Sequence, residues 1–363
     1  MNILFMNSAR TWGGTEKWTH MAAESLAHEH KVALVYRKNV VGDRFTTSKF
    51  QLPCLSHVDV YTLYQLTRII RQEKIEVIIP TKRKDYLLAG IASRICGISN
   101  ILRLGIVRPL KLPIIHKLMY HSLVDAVIVN AQQIKTTLLQ SPFMVADKIY
   151  VIRNGLDTTQ LNKKSQPIAP KIFDFQISTV GILTKRKGHD FLLRGFAQFI
   201  NQEPNANAGI VIIGDGVLKN ELQELVEKLH LTQHVHFTGF VENPYPLMAA
   251  SDVIAMLSTN EGISNALLEG MYLENVPIST FVGGTTEFIQ DGKNGFLIDY
   301  GNENKLATTL LTIYNNNILK ENISLAAKST ILTQFSLTRM TQTLTQLCKT
   351  TIKNKAAQHA AYN

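Results

Sequence analysis

Two carboxylates, Glu261 and Glu269, bracket the segment Gly262, Ile263, Ser264, Asn265, and the apolar positions Ala266, Leu267, Leu268 and Met271 that follow have helical spacing. Ser264 or Asn265 suits the N-cap, so backbone N–H groups point out of this turn, where hydrogen bonding and the helix dipole attract phosphate. One or two turns into the helix, Glu269 can accept hydrogen bonds from both hydroxyls of a ribose. Glu261, ahead of the cap, faces whatever lies beyond the phosphates, a space that fits a hexose. The pattern reads as a nucleotide-sugar site. As two isolated acids, Glu261 and Glu269 would equally well do no more than complement the helix dipole.

A second cluster bears the opposite charge. Lys185, Arg186 and Lys187 crowd a loop that runs from Gly181 to Gly188, between an apolar strand and a helix carrying Phe191, Leu192, Phe196 and Phe199. Cations at a helix N-terminus oppose the dipole unless an anion sits beside them, and a diphosphate would resolve that conflict; a solvated basic loop is the alternative. Gly214 and Gly216 flank an Asp at another strand end, and Phe240 and Val241 follow the next strand; both turns stand where loop backbone can clasp a base. Taken alone, the Gly-x-Gly reads more readily as a tight turn, and Phe240 as core. In the N-terminal half, Gly13, Gly14 and Glu16 follow the first strand, where glycine lets backbone approach a ligand. Residues 281–287 make a comparable glycine turn, which would approach a sugar bound there from the side opposite Glu261.

These turns need a scaffold. Apolar runs at 3–6, 32–36, 77–80, 101–104, 126–130 and 150–152 alternate with amphipathic segments, and a second series follows at 177–181, 209–213, 235–237, 253–256 and 277–280. This βαβ rhythm predicts an α/β fold of two Rossmann-like, doubly wound parallel-sheet domains, with ligands beyond the carboxyl ends of the strands in the cleft between them. The turn at 154–157 and the polar stretch 162–170 mark a hinge-like join. The domains are thus predicted at 1–155 and 156–335, and 336–352 is helical in pattern. Residues 315–317 and the tail after 353 read as loosely ordered.

At 363 residues the chain exceeds what one core comfortably organises, roughly 250 to 300 residues. It has no signal-peptide pattern at Met1 and no apolar run near about 18 residues, which predicts a cytoplasmic protein. Cys54, Cys96 and Cys348 lack metal-type spacing and suit a reducing compartment. Of the net charge of +10, residues 1–155 carry +11, from 21 Lys and Arg against 10 Asp and Glu. A basic half suits an anionic membrane surface or a phosphorylated substrate. Nucleic acid is not expected, because no base-reading motif is present. Ile114, Ile115, Leu118, Met119 and Leu123 fall on one helical face with Lys111, Lys117 and His121 nearby, a face that would dock on an anionic membrane if exposed or pack on the sheet if not. Lys82, Arg83 and Lys84 add a basic rim.

In order and spacing these elements resemble the retaining glycosyltransferases of family 4, the group 1 transferases, over nearly the whole chain. Gly13, Gly14 and Glu16 are similar to the family's Gly-Gly-x-Glu, 154–157 to its Asn-Gly-x-Asp, Lys187 and Gly188 to the end of its phosphate loop, and Gly214 to Gly216 to its Gly-Asp-Gly. Residues 258–262 are similar to its Ser-x-x-Glu-Gly, and Glu261 with Glu269 to its paired glutamates. Many members carry Arg where this chain has Ile182, and Arg186 would supply that charge. The histidine many members place near the reacting centre has no counterpart around 103–108.

The resemblance implies a GT-B fold, with its two domains facing across a deep cleft and the C-terminal helix 336–363 packed back on the first domain. It implies a donor site at Gly181, Gly214, Gly216, Phe240, Val241, Gly262, Ile263, Ser264, Asn265 and Glu269, joined by Gly13 and Gly14. Lys187, Arg186 and Glu261 would act at the reacting centre, stabilising negative charge that grows on the leaving diphosphate. Glu16, Lys82, Arg83, Arg103 and Arg108 would face the acceptor. The implied function is retaining transfer of a hexosyl or N-acetylhexosaminyl group from a nucleoside diphosphate sugar, UDP by family habit, to a lipid-linked or polysaccharide acceptor such as lipopolysaccharide core. No cofactor or obligatory metal is implied, and no Asp-x-Asp is present to hold one. The implied location is the cytoplasmic face of the inner membrane. The alternative is a catalytically inactive nucleotide-sugar binder or assembly partner of the same fold, motivated by Ile182 and the missing histidine.

Overall fold

The computed structural model describes residues 1–106, 109–110 and 113–362, and of residues 113, 359, 361 and 362 the backbone alone. These residues form two compact units, Met1–Gly155 with Leu337–Asn363, and Leu156–Ser336.

The first unit holds a seven-stranded sheet of β1 (Asn2–Asn7), β2 (Lys31–Tyr36), β3 (Ser48–Gln51), β4 (Val77–Pro80), β5 (Ser99–Leu104), β6 (Ala126–Val129) and β7 (Ile149–Val151). The spatial order is β3-β2-β1-β4-β5-β6-β7, all parallel. Helices cover both faces, so the inner strands are apolar at consecutive positions rather than alternately. The pleat divides β1 between two cores, Ile3 and Phe5 packing with Trp18 and Leu26, and Leu4 and Met6 with Leu66 and Leu88. The helix Leu337–Tyr362 inserts Met340, Leu344, Leu347 and Cys348 into the first of these cores. It is also tied by Ser25–Thr341 hydroxyls at 2.7 Å and by Lys355 Nζ on Asp125 at 3.0 Å.

The second unit is a six-stranded parallel sheet of β8 (Phe175–Val180), β9 (Ala208–Ile213), β10 (Val235–Gly239), β11 (Val253–Met256), β12 (Val276–Thr280) and β13 (Phe296–Ile298), ordered β10-β9-β8-β11-β12-β13. Helix His189–Gln202 buries Phe191, Phe196 and Phe199 in its core together with Leu306 and Leu310 from helix Glu303–Tyr314.

Several expectations are corrected. Two of the sheet edges, β3 and β13, are not anticipated: β3 is Ser48–Gln51, mostly polar and exposed, so it carries no apolar run, and β13 is three residues long. The tail after 353 continues as helix, held by the buried Lys355. The Asn-rich 315–317 is a cap: the Asn316 side chain accepts from Leu319 N at 2.9 Å and opens helix Asn317–Gln334. Residues 114–123 do not form one amphipathic helix. An α-turn, Pro113–Lys117, passes into a π-turn, Leu118–Ser122, whose wider spacing breaks the α periodicity. Met119 and Tyr120 turn inward, while Ile114 is 85% exposed and Ile115 and Leu118 also face out.

Candidate functional site

In the second unit the chain runs outward from β8 to β9 and β10 on one side and from β11 to β12 and β13 on the other, so the strand order reverses between β8 and β11. Loops leaving the carboxyl ends of two such strands diverge and leave a crevice, the usual place for a ligand in an open α/β sheet. Both expected clusters come from these two loops. Residues 181–188 leave β8, and residues 257–264 leave β11.

Their charges meet. Glu261 Oε1 accepts from Arg186 Nη1 at 2.6 Å and from Lys187 Nζ, and Arg186 Nη1 also donates to the Asn260 carbonyl at 2.7 Å. Thr259 N bonds the Arg186 carbonyl at 2.8 Å, joining the two loops through backbone as well. Burial raises the Glu261 carboxyl, but Lys187 and Arg186 outweigh it and hold the group below the usual carboxylate range. His189, next along, is driven down to about 4 by burial and by Lys187, so its imidazole is neutral at pH 7.

Ser264 caps helix Asn265–Tyr272, its hydroxyl accepting from Leu267 N at 3.4 Å, and Gly262 and Ile263 form the turn before it. Gly283, in the turn after β12, has φ +57, and a Cβ there would strike the Glu261 and Gly262 carbonyl oxygens. The 281–287 turn therefore supports the Glu261 backbone directly, with Gly284 N on the Gly262 carbonyl at 2.8 Å. Gly214 fits as tightly: its φ is +151, and a Cβ would strike the Gly181 carbonyl oxygen, while one on Gly216 would meet Leu183 backbone. These glycines lock the β8 and β9 loops together. Phe240 is 64% exposed beyond β10 rather than core, with Val241 half-buried beside it. Glu269, expected to meet ribose hydroxyls, is only 3% exposed, on a helix whose residues 267–272 are all buried. Ile182 is exposed, at the position where many members of the resembling family carry Arg.

The first unit repeats the geometry. Its strand order reverses between β1 and β4, and the loops there bring Glu16 to Lys82 Nζ at 2.6 Å. Glu16, in the first turn of helix Gly14–Ala27 after an extended Gly13, also accepts from Asn7 Nδ2 at 3.2 Å. Glu16 and Arg103, expected to face an acceptor, are buried. Arg103 stacks over the Trp18 ring at 4.6 Å, and burial lowers its guanidinium to about 10. Lys82 and Arg83 remain partly open, Arg83 Nη2 lying 3.4 Å from His116 Nε2. Arg108 and Lys111 lie outside the described residues. Asp85 was not anticipated. Fully buried in the first turn of helix Arg83–Cys96, it accepts from Ser8 N at 2.9 Å, and burial pushes its carboxyl up to about 6 despite that bond. Its position just beyond β4, beside the switch point, was the signal available in the sequence.

Among the described residues no group of three His, Cys, Asp or Glu is placed to hold a metal ion, and no helix is long and apolar enough to cross a membrane.

Comparison with known proteins places these features. Residues 174–316 match the family model described as Glycosyl transferases group 1. The N-acetylgalactosamine-N,N'-diacetylbacillosaminyl-diphospho-undecaprenol 4-alpha-N-acetylgalactosaminyltransferase of Campylobacter jejuni is 31% identical over 207 residues, 56% of this chain and 55% of that protein. The lipopolysaccharide core biosynthesis glycosyltransferase LpsE of Rhizobium meliloti is 28% identical over 171 residues, 47% and 48% of the two chains. The chain thus spans about half the length of the curated relatives it matches. The crystal structure of Anabaena Alr3699/HepE in complex with UDP superposes with a TM-score of 0.82 at 20% identity, over 96% of this chain and 100% of that one. At such identity the likeness shows the fold, which is GT-B.

Proposed function

We propose that this chain, whose residues 174–316 match the group 1 glycosyltransferase family model, transfers a sugar from a nucleoside diphosphate sugar to a lipid-linked or polysaccharide acceptor with retention of anomeric configuration. The observation that carries the reading is the convergence of Arg186, Lys187, Glu261 and the Ser264 turn at the β8/β11 switch point. Two cations and a helix N-terminus are suited to the charge that grows on a departing diphosphate, and such electrostatic stabilisation is usually the largest catalytic contribution. Arg186 supplies the charge that Ile182 does not.

The acceptor reading rests on the first unit's excess of cations and on exposed Ile114, Ile115 and Leu118 beside exposed Lys117, a combination that suits an anionic membrane surface bearing a glycolipid. UDP is the first donor nucleotide to test, since relatives of the same fold have been crystallised with it. Ile182 favours a second reading, a nucleotide-sugar binder without turnover. Purified protein should be screened against a panel of nucleotide sugars by thermal stabilisation, then assayed for transfer to membrane glycolipid extracts with and without acceptor. Stabilisation with acceptor-dependent release of nucleoside diphosphate supports the transferase. Stabilisation without release supports the binder, and no stabilisation by any donor overturns both.

A further inference from the structure

Glu261 stands where one carboxylate oxygen takes both cations of the phosphate loop. Its side chain and that of Lys187 are largely shielded from water, so their attraction is weakly screened. A diphosphate entering this loop brings anionic oxygens that seek the same guanidinium and ammonium N–H groups and repel the carboxylate already there. We infer that Glu261 is an internal counter-anion, which a diphosphate must displace from Lys187 and Arg186 and which regains partners only from the hydroxyls of an attached sugar. The inference rests on the donor-site reading above and adds a consequence to it: the site discriminates against the sugar-free nucleoside diphosphate that transfer leaves behind. Displacing a carboxylate largely shielded from water without giving it donors is costly, whereas a sugar restores its hydrogen bonds. The Gly283 turn, pressed against the Glu261 backbone, confines the exchange to the side chain.

Inorganic pyrophosphate tests this without knowledge of the base. Calorimetric titration of the wild type, Glu261→Gln and Glu261→Ala should show pyrophosphate binding about tenfold more tightly to the variants, the scale of one charge-assisted contact no longer competed for. With the donor identified by the thermal screen, the preference for nucleotide sugar over its nucleoside diphosphate should shrink about tenfold or more in Glu261→Gln. Adding Lys187→Met to Glu261→Gln should abolish the gain. Equal or weaker pyrophosphate binding by folded Glu261 variants overturns the inference and leaves the donor site standing. Binding of neither pyrophosphate nor any nucleotide sugar to the wild type removes the donor site itself. Wild-type crystals soaked in pyrophosphate give a readout that needs no variant: separation of Glu261 Oε1 from Lys187 Nζ and Arg186 Nη1 supports the exchange, and pyrophosphate bound with both ion pairs intact overturns it.

Discussion

Single side chains carry the chemistry proposed for the second unit and an electrostatic burden in the first. Lys187→Ala removes one of two cations from the proposed diphosphate site, and loss of a preorganised charge-stabilising group is expected to lower turnover by about 10²- to 10³-fold. Steady-state transfer with the identified donor measures it, and a rate within about threefold of wild type would remove Lys187 from the reacting centre. Asp85 acts on stability instead. Its carboxyl titrates at about 6 in the folded protein, above the ordinary value of 3.8, so between these values the folded state binds more protons than the unfolded state. Stability contributed at this site therefore falls as pH rises from about 4 to 6 and stays reduced above. Asp85→Asn, which keeps an acceptor for Ser8 N, should raise the unfolding free energy by on the order of 1–3 kcal/mol at pH 8 and by little at pH 4. Urea denaturation at the two pH values measures the difference; an equal effect at both, or destabilisation at pH 8, contradicts it.

At the level of strands and turns, tight backbone approaches set the loop positions. Gly214→Ala should cost about 3 kcal/mol or more, because its Cβ meets the Gly181 carbonyl, which cannot yield without moving the β8 loop. Gly239→Ala provides the comparison. Its φ of +71 is also left-handed, but nothing lies within 4 Å of the added carbon, so only the conformational penalty of about 1 kcal/mol remains. Chemical denaturation of both variants distinguishes packing from backbone preference. This contrast also explains how much was legible beforehand. Central strands such as β4 and β11 announce themselves by unbroken apolar runs, and the loop at the carboxyl end of β11 follows from that run, which is why Glu261 was legible as a candidate. The edge β3 was not, since Ser48, Lys49 and Gln51 leave it no apolar run to read. Glu16, Arg103 and Asp85 show a different limit: polarity marks a residue as consequential, but whether it faces a ligand or a buried partner depends on tertiary neighbours, here Lys82, Trp18 and Ser8. The burial of Glu269 was hidden in the same way. Helical spacing locates a side chain on a face without saying what covers that face.

Across the whole molecule, the first unit is assembled from the two extremes of the described chain. Met340, Leu344 and Leu347 sit in a core with Ile3, Phe5 and Trp18, and Gly155 N points to Met340 Sδ at 3.0 Å. Removing residues 337–363 should therefore unfold the first unit while 156–336 stays protected, because the second core draws nothing from that helix. Limited proteolysis with peptide mapping reads this out, and a protected 1–155 in the truncated protein would refute it. The same discontinuity bears on biosynthesis. At roughly 5–20 residues per second, 1–155 leaves the ribosome on the order of ten seconds or more before the helix that closes its apolar face has been translated. Through that interval the first unit lacks Met340, Leu344 and Leu347, which its finished core shares with Ile3, Phe5 and Trp18.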